Sequence, residues 1–267
     1  AGSGIGEGLA RLAAEQGMRV VLADVAMNRA ESVAEEIRAG GAEALAVHTD
    51  VSEPEELDRL AAITHETFGD VTLLVNNAGI ETLGFVWELP ASVWEKTLDI
   101  NIHGAIHGVR AFAPRMLAAG KRAWIANTSS IGGLGMMPIQ TSYVLSKHAI
   151  LSFSECLYLE MQVKEAPIHV SAILPGPVAT RIFEDSKTGE DPVNAKHREI
   201  MRTMLKSDGI SGYEAAERIL PQIAEGRFWV STHPETTQEF ASNRARHLSG
   251  LDDPALPAEV LVGLGVS

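Results

Sequence analysis

The chain has 267 residues, 45% of them hydrophobic, with 35 acidic against 22 basic side chains and a net charge of −13. That length and apolar content suit one domain with a sizeable core, and no apolar run reaches the about 18 residues of a membrane span. The acidic balance excludes a nucleic acid or an anionic membrane surface as partner, since both are bound by basic patches.

The chain opens on a glycine turn, Ala1-Gly2-Ser3-Gly4-Ile5-Gly6, followed by a helical pattern over 6–16. Glycines at a helix N-terminus let the backbone approach a pyrophosphate, and the unpaired N–H groups and helix dipole favour its charge. An apolar run over 19–24 reads as a strand ending in Asp24. An acid about 20 residues beyond such a turn is placed to take hydrogen bonds from an adenosine ribose. A helix over 29–38 and a strand over 44–48 lead to Asp50-Val51, and Ser52 with Glu55 predicts a capping box for a helix over 54–67. A strand over 72–76 runs into Asn76-Asn77-Ala78-Gly79; Ser92 with Glu95 predicts a second capping box, for one long helix over 92–118 that carries Asn101.

The apolar run 123–128 predicts a buried strand with Ser130 just past its carboxyl end, where ligands of open α/β sheets bind. A helix over 142–164 carries Tyr143 and Lys147 on one face, four residues apart. An adjacent ammonium is expected to draw the phenol pKa down from about 10, towards the value a general acid/base needs near neutrality. The single cysteine, Cys156, has no partner for an internal disulfide, in keeping with a reducing, cytoplasmic setting; on an apolar helix it is expected to be a buried structural thiol. His103 and His107 have metal-ligand spacing but no third ligand beside them, so no metal is expected. A strand over 168–174 ends at Pro175-Gly176-Pro177-Val178-Ala179-Thr180. Residues 181–212 then break the rhythm as a candidate lid, before a helix over 213–224, a strand over 227–231, a helix over 234–247 and an extended or mobile tail. This alternation predicts an α/β fold with parallel strands and helices on both faces.

In order and spacing these motifs resemble those of the single-domain short-chain dehydrogenases/reductases, from residue 1 to about 232. The fold so implied is Rossmann-like and doubly wound, with residues 1–232 as the catalytic domain and 233–267 as a carboxyl-terminal helix and tail. The family pattern places a further strand, centred between 19–24 and 72–76, ahead of the glycine turn. A chain without it is expected to leave those two strands unpaired with each other and to be poorly stable. The resemblance implies hydride transfer between a nicotinamide dinucleotide and an alcohol or ketone. Tyr143 is then the general acid/base, Lys147 its electrostatic partner and ribose contact, Ser130 the holder of the substrate oxygen, and Asn101 the residue that positions a water. On the cofactor side it implies Gly2, Ser3, Gly4, Ile5, Gly6 and Asp24, then Asp50, Val51, Asn77, Ala78 and Gly79, and finally Pro175, Gly176, Val178 and Thr180 with Tyr143 and Lys147.

Asp24 favours NAD over NADP, because a carboxylate there repels a 2′-phosphate and neither Ser3 nor Val25 is basic. The expected substrate wall is Ile80 and Leu83, then Ile131, Leu134, Met136 and Met137, with Phe183 from the lid, which suits a bulky hydrophobic secondary alcohol or ketone. Phe112, Met116, Leu157 and Met161 are candidates for a homodimer or homotetramer contact. An epimerase or dehydratase acting on nucleotide sugars would carry a larger carboxyl-terminal domain. A non-catalytic dinucleotide-sensing protein would not need the full Ser130, Tyr143, Lys147 and Asn101 set.

Overall fold

The computed structural model describes residues 1–256 and 258–265. The first half of the chain forms α1 (Gly4–Glu15), β1 (Val20–Asp24), α2 (Met27–Ala39), β2 (Ala44–His48), α3 (Pro54–Phe68), β3 (Leu73–Asn76), β4 (Thr82–Leu83), α4 (Ala91–Leu98) and α5 (Gly104–Ala119). The second half forms β5 (Ala123–Thr128), α6 (Thr141–Val163), β6 (Ile168–Leu174), β7 (Lys187–Thr188), α7 (Pro192–Asp208), α8 (Gly212–Ala224), β8 (Trp229–Ser231), α9 (Pro234–Gly250) and α10 (Ala258–Leu264).

β3, β5, β6 and β8 form a parallel sheet in that order, and β1 pairs in parallel with β2. Alternate side chains of a strand face opposite layers. Accordingly Ile125 and Val170 pack with Leu60 of α3, Phe112 and Met116 of α5 and Leu157 of α6. Ala126 and Ile173 pack instead with Leu9 of α1 and Ile219 and Ile223 of α8. A third cluster seals α1 and α2 onto β1 and β2 through Leu22, Val33 and Ala46. The sheet is thus wound on both faces, as predicted.

Among the described residues β1 and β3 do not pair with each other. Their facing edges, Val20, Val21 and Ala23 against Leu73, Leu74 and Val75, line a cleft of about 450 Å³ that extends to Asn77, Ala78, Asn101 and Thr128.

Several local expectations are corrected. The helix predicted over 92–118 is two helices joined by a π turn at Asp99–His103. Neither predicted capping box forms. Ser52 Oγ donates to Asp50 Oδ1 at 2.6 Å instead of capping α3, and α4 begins after Pro90, one residue ahead of Ser92. The box that does form is Ser211 with Glu214, at the start of α8. Part of the tail expected to be extended folds as α10 and sets Leu264 against Leu83, Phe183 and Leu205. Cys156 is exposed, because the α6 positions that meet the core are Ile150, Ser154, Leu157 and Met161 and the cysteine falls between them. Phe112, Met116, Leu157 and Met161 are all buried within the subunit, so they are not available to a contact between copies.

The closest helix approach is α1 on α8. A Cβ on Gly8 would lie 2.1 Å from the Gly212 carbonyl oxygen and 2.8 Å from the Tyr213 nitrogen. Both obstacles are backbone, so the helices would have to separate. Gly8→Ala should therefore cost about 1–3 kcal/mol of stability as overpacking, read as a lower urea midpoint. A loss under ~0.5 kcal/mol, the range of an uneventful surface change, would contradict the packing described.

Candidate active site

The site is assembled at the carboxyl ends of β3 and β5. Asn76 Nδ2 donates to Asn127 Oδ1 at 2.8 Å, and Asn127 Nδ2 donates to Ser154 Oγ at 3.1 Å, so a buried polar chain fixes β3, β5 and α6 in register. Ser129 Oγ donates to the Lys147 carbonyl at 2.7 Å and ties the first turns of α6 to the end of β5. Ser130 then starts a 3₁₀ turn at Ile131–Gly133, its Oγ accepting from Gly132 N at 3.0 Å.

Lys147 is 3% exposed. Its Nζ donates to the Thr128 carbonyl at 3.0 Å and stands 5.4 Å from the Tyr143 ring centroid. A Cβ on residue 79 would lie 3.3 Å from that Nζ, so the 76–79 loop passes close over the ammonium. Burial draws the Lys147 pKa down to about 8, against an opposing pull from Glu81. The Tyr143 pKa stands above the ordinary value, first because the phenol is desolvated and second because of Glu81, with Ser130 opposing. The expected depression by Lys147 is thus not the outcome. The ammonium donates to the Thr128 carbonyl, and desolvation of the phenol sets the direction of the shift.

Asn101 lies in the π turn, 2% exposed. Its Oδ1 accepts from Ile80 N at 2.8 Å, and its Nδ2 donates to the Ile80 carbonyl at 2.9 Å and to Ser146 Oγ at 3.0 Å. The side chain is therefore a clamp between the 76–80 loop and α6. Single π turns recur at functional sites because they re-aim one side chain without ending the helix.

The expected cofactor residues converge on one side of this centre. Ser3 precedes α1 without a side-chain cap, which leaves the first N–H groups of the helix open. Gly4 has φ +57° and lies against Thr180, whose Cγ2 would be 2.9 Å from a Cβ there, so the Pro175–Thr180 segment meets the glycine turn. Asp24 accepts from Gly2 N and Ala26 N, each at 2.8 Å. Burial opposes its charge, and these N–H groups favour it. Asp50 Oδ1 holds the turn after β2 through Ser52, and Val51 lines the cleft with Ala78 and Asn101. Thr128 Oγ1 faces Asn77 Oδ1 at 3.4 Å. Gly176 N donates to Thr232 Oγ1 at 2.9 Å, and Val178, 4% exposed, is a core side chain that can reach a ligand only through its backbone. An uncapped helix start, a left-handed glycine and a buried ammonium beside them fit a dinucleotide phosphate and ribose.

On the other side, Ile80, Ile131, Leu134 and Met137 are partly exposed and Met136 is 40% exposed. Leu83 and Phe183, expected to face a substrate, are instead buried against each other with Ile139 and Leu205. They hold the 181–212 segment down rather than line a surface. The sequence reading missed Glu81 and Gln140, both buried behind Tyr143; a charged residue directly after Asn76–Ile80 was the available signal. Among the described residues no three His, Cys, Asp or Glu side chains are gathered as a metal site requires.

A profile of the short chain dehydrogenase family matches residues 1–191. Cyclohexanol dehydrogenase of Acinetobacter sp. is 35% identical over 193 residues, 71% of this chain and 75% of that protein. A short chain dehydrogenase/reductase from Burkholderia phymatum, solved in complex with NAD, superposes with a TM-score of 0.92 at 33% identity, covering 96% of this chain and 94% of that one. A metagenomic short-chain oxidoreductase solved in complex with NADP superposes with a TM-score of 0.62 at 30% identity, covering 67% and 80%. With the strand order and the site geometry, these matches establish that the chain belongs to the short-chain dehydrogenase/reductase family of oxidoreductases.

Proposed function

We propose that this protein moves a hydride between NAD(H) and a hydrophobic secondary alcohol or ketone, with Tyr143 as general acid/base. The observation that carries the reading is the buried Lys147 ammonium, which donates to the Thr128 carbonyl and stands 5.4 Å from the Tyr143 ring at the strand end that leads into Ser130. The bound nicotinamide supplies the hydride chemistry, and the protein supplies orientation and proton management. Ser130 Oγ accepts from the Gly132 N–H, which orients the hydroxyl for a substrate oxygen. Tyr143, with its pKa raised, holds its proton at neutral pH and so is poised to give it to a carbonyl oxygen. In the alcohol direction Tyr143 must lose that proton. Lys147, titrating near 8, is the group beside it able to take up and release protons under ordinary conditions. The Asn101 side chain is engaged with Ile80 and Ser146.

The preference for NAD rests on Asp24, whose ionised carboxylate closes β1. Arg29 lies near by but directs its guanidinium to Asp185 of the 181–212 segment, at 3.9 Å. That segment acts as the lid of a catalytic domain spanning residues 1–232. The partly exposed Ile131, Leu134, Met136 and Met137 suit an apolar substrate. Homo-oligomers, if formed through α6, would use outward side chains such as Leu159 and Val163, exposed by 57% and 83%.

Tyr143→Phe should lower turnover of secondary alcohols by about 10²–10⁴-fold, the usual worth of a general acid/base, while NAD still binds by isothermal titration. Retention of a tenth of the rate would contradict the role. Asp24→Ala combined with Val25→Arg should shift kcat/KM from NAD towards NADP. An unmodified enzyme that already prefers NADP would overturn the reading of Asp24.

A further inference from the structure

α9 follows β8 at the edge of the sheet and is 17 residues long, yet none of its side chains is buried. Among the described residues none of them belongs to the apolar clusters that seal the helices onto the sheet. Core packing therefore does not explain where α9 lies. Two contacts seat its first turns. Thr237 Oγ1 is 2.7 Å from Ser231 Oγ at the end of β8. One turn further on, the partly buried Phe240 lies on Gly135, where a Cβ would stand 2.9 Å from both Cδ1 and Cε1 of the ring. The Gly135 carbonyl also meets His148 Nε2 of α6 at 2.8 Å, and since a carbonyl only accepts, that nitrogen carries the hydrogen. Gly135 is thus held by both α6 and α9.

We propose that Phe240 is a positioning residue for the substrate pocket: by filling the space over Gly135 it fixes the Met136–Met137 segment and so limits the size of alcohol or ketone that the pocket admits. The proposal rests on residues 131–137 being a substrate wall of the proposed reaction. Upstream of Gly135 the chain has no room to yield. A Cβ on Gly133 would lie 2.5 Å from Ser129 Oγ and 2.8 Å from the Lys147 carbonyl oxygen, and one on Gly132 would lie 3.6 Å from Cε1 of Tyr143. Ile131 N donates to the Pro175 carbonyl at 3.1 Å. Downstream, Met137 is partly exposed and Met136 is exposed. A change in the space over Gly135 therefore passes to the two methionines and leaves Ser130 and Tyr143 where they are. Size selection should change while the proton-transfer groups keep their geometry.

The test compares kcat/KM for isopropanol and for a naphthyl methyl carbinol, at saturating NAD, across the wild type and its variants. Phe240→Ala should raise the preference for the larger alcohol by about tenfold or more, the usual effect of altering one hydrophobic contact in a pocket, through KM rather than kcat. Phe240→Leu, which keeps bulk over Gly135, should restore most of the wild-type preference. Gly135 does not have a positive φ, so Gly135→Ala strains no backbone there. It should shift the preference towards isopropanol, and the shift should vanish when Phe240→Ala is added, a coupling expected of residues in contact. Acetone and acetonaphthone with NAD exchange no hydride, so titrating them against the methyl NMR signals of Met136 and Met137 reads binding without turnover. Acetonaphthone should bind more tightly to Phe240→Ala by a similar factor. Unchanged preferences, or a loss shared equally by both alcohols as a merely structural role would give, would overturn the proposal, and so would methyl signals that neither ketone moves. If Phe240→Ala does not fold, Gly135→Ala decides. A wild type that oxidises neither alcohol would count against the proposed function, while ketone binding still judges Phe240.

Discussion

A charged lysine enclosed in the protein is the constraint around which this site is built. Removing an ammonium from water is costly unless its hydrogen bonds are replaced and a counter-charge is near. Here the Thr128 carbonyl takes one N–H of Lys147 and the Tyr143 ring covers one side. The 76–80 loop passes close over the ammonium at Gly79 and has to be held in place. Asn101 does the holding, and it reaches Ile80 because a π turn interrupts what would otherwise be a continuous helix.

The same economy of space governs the rest of the molecule. β5 is the common support: its alternate residues feed the two helical layers, its asparagine links β3 to α6, and its end carries Thr128, Ser129 and Ser130. The glycine turn is brought to this end by the contact of α1 with α8 and by Thr180 lying on Gly4. Phe183 and Leu205 of the 181–212 segment are buried against Leu83 of β4, so hydrophobic burial explains both positions.

The strand and helix order was legible because strands that are buried on both faces read as short apolar runs and their helices keep a clear period. Ser130, Tyr143 and Lys147 were legible because their spacing places them at one strand end and on one helix face. The environment of those groups was not. How far the phenol of Tyr143 is desolvated is set by tertiary packing, and the direction of its pKa shift follows from that. The π turn was hidden because Asp99–His103 has ordinary helical composition. Cys156, Phe112 and Leu157 were misplaced because α6 and α5 are apolar on more than one side, so the period does not say which side is covered. Ser52 was read as a cap, but the carboxylate of Asp50, two residues back, competes for its hydroxyl and wins it. Glu81 was passed over because a charge next to a loop motif reads as exposed until the fold closes over it.

The central claim is that this arrangement of strand ends and buried charge delivers a hydride directly between a carbinol carbon and a nicotinamide. Incubating the enzyme with NAD and a secondary alcohol deuterated at its carbinol carbon, then locating the label by NMR, tests that claim most directly. The account predicts deuterium at C4 of the nicotinamide, on a single face, with none lost to water. Label released to solvent, or spread over both faces, would contradict it.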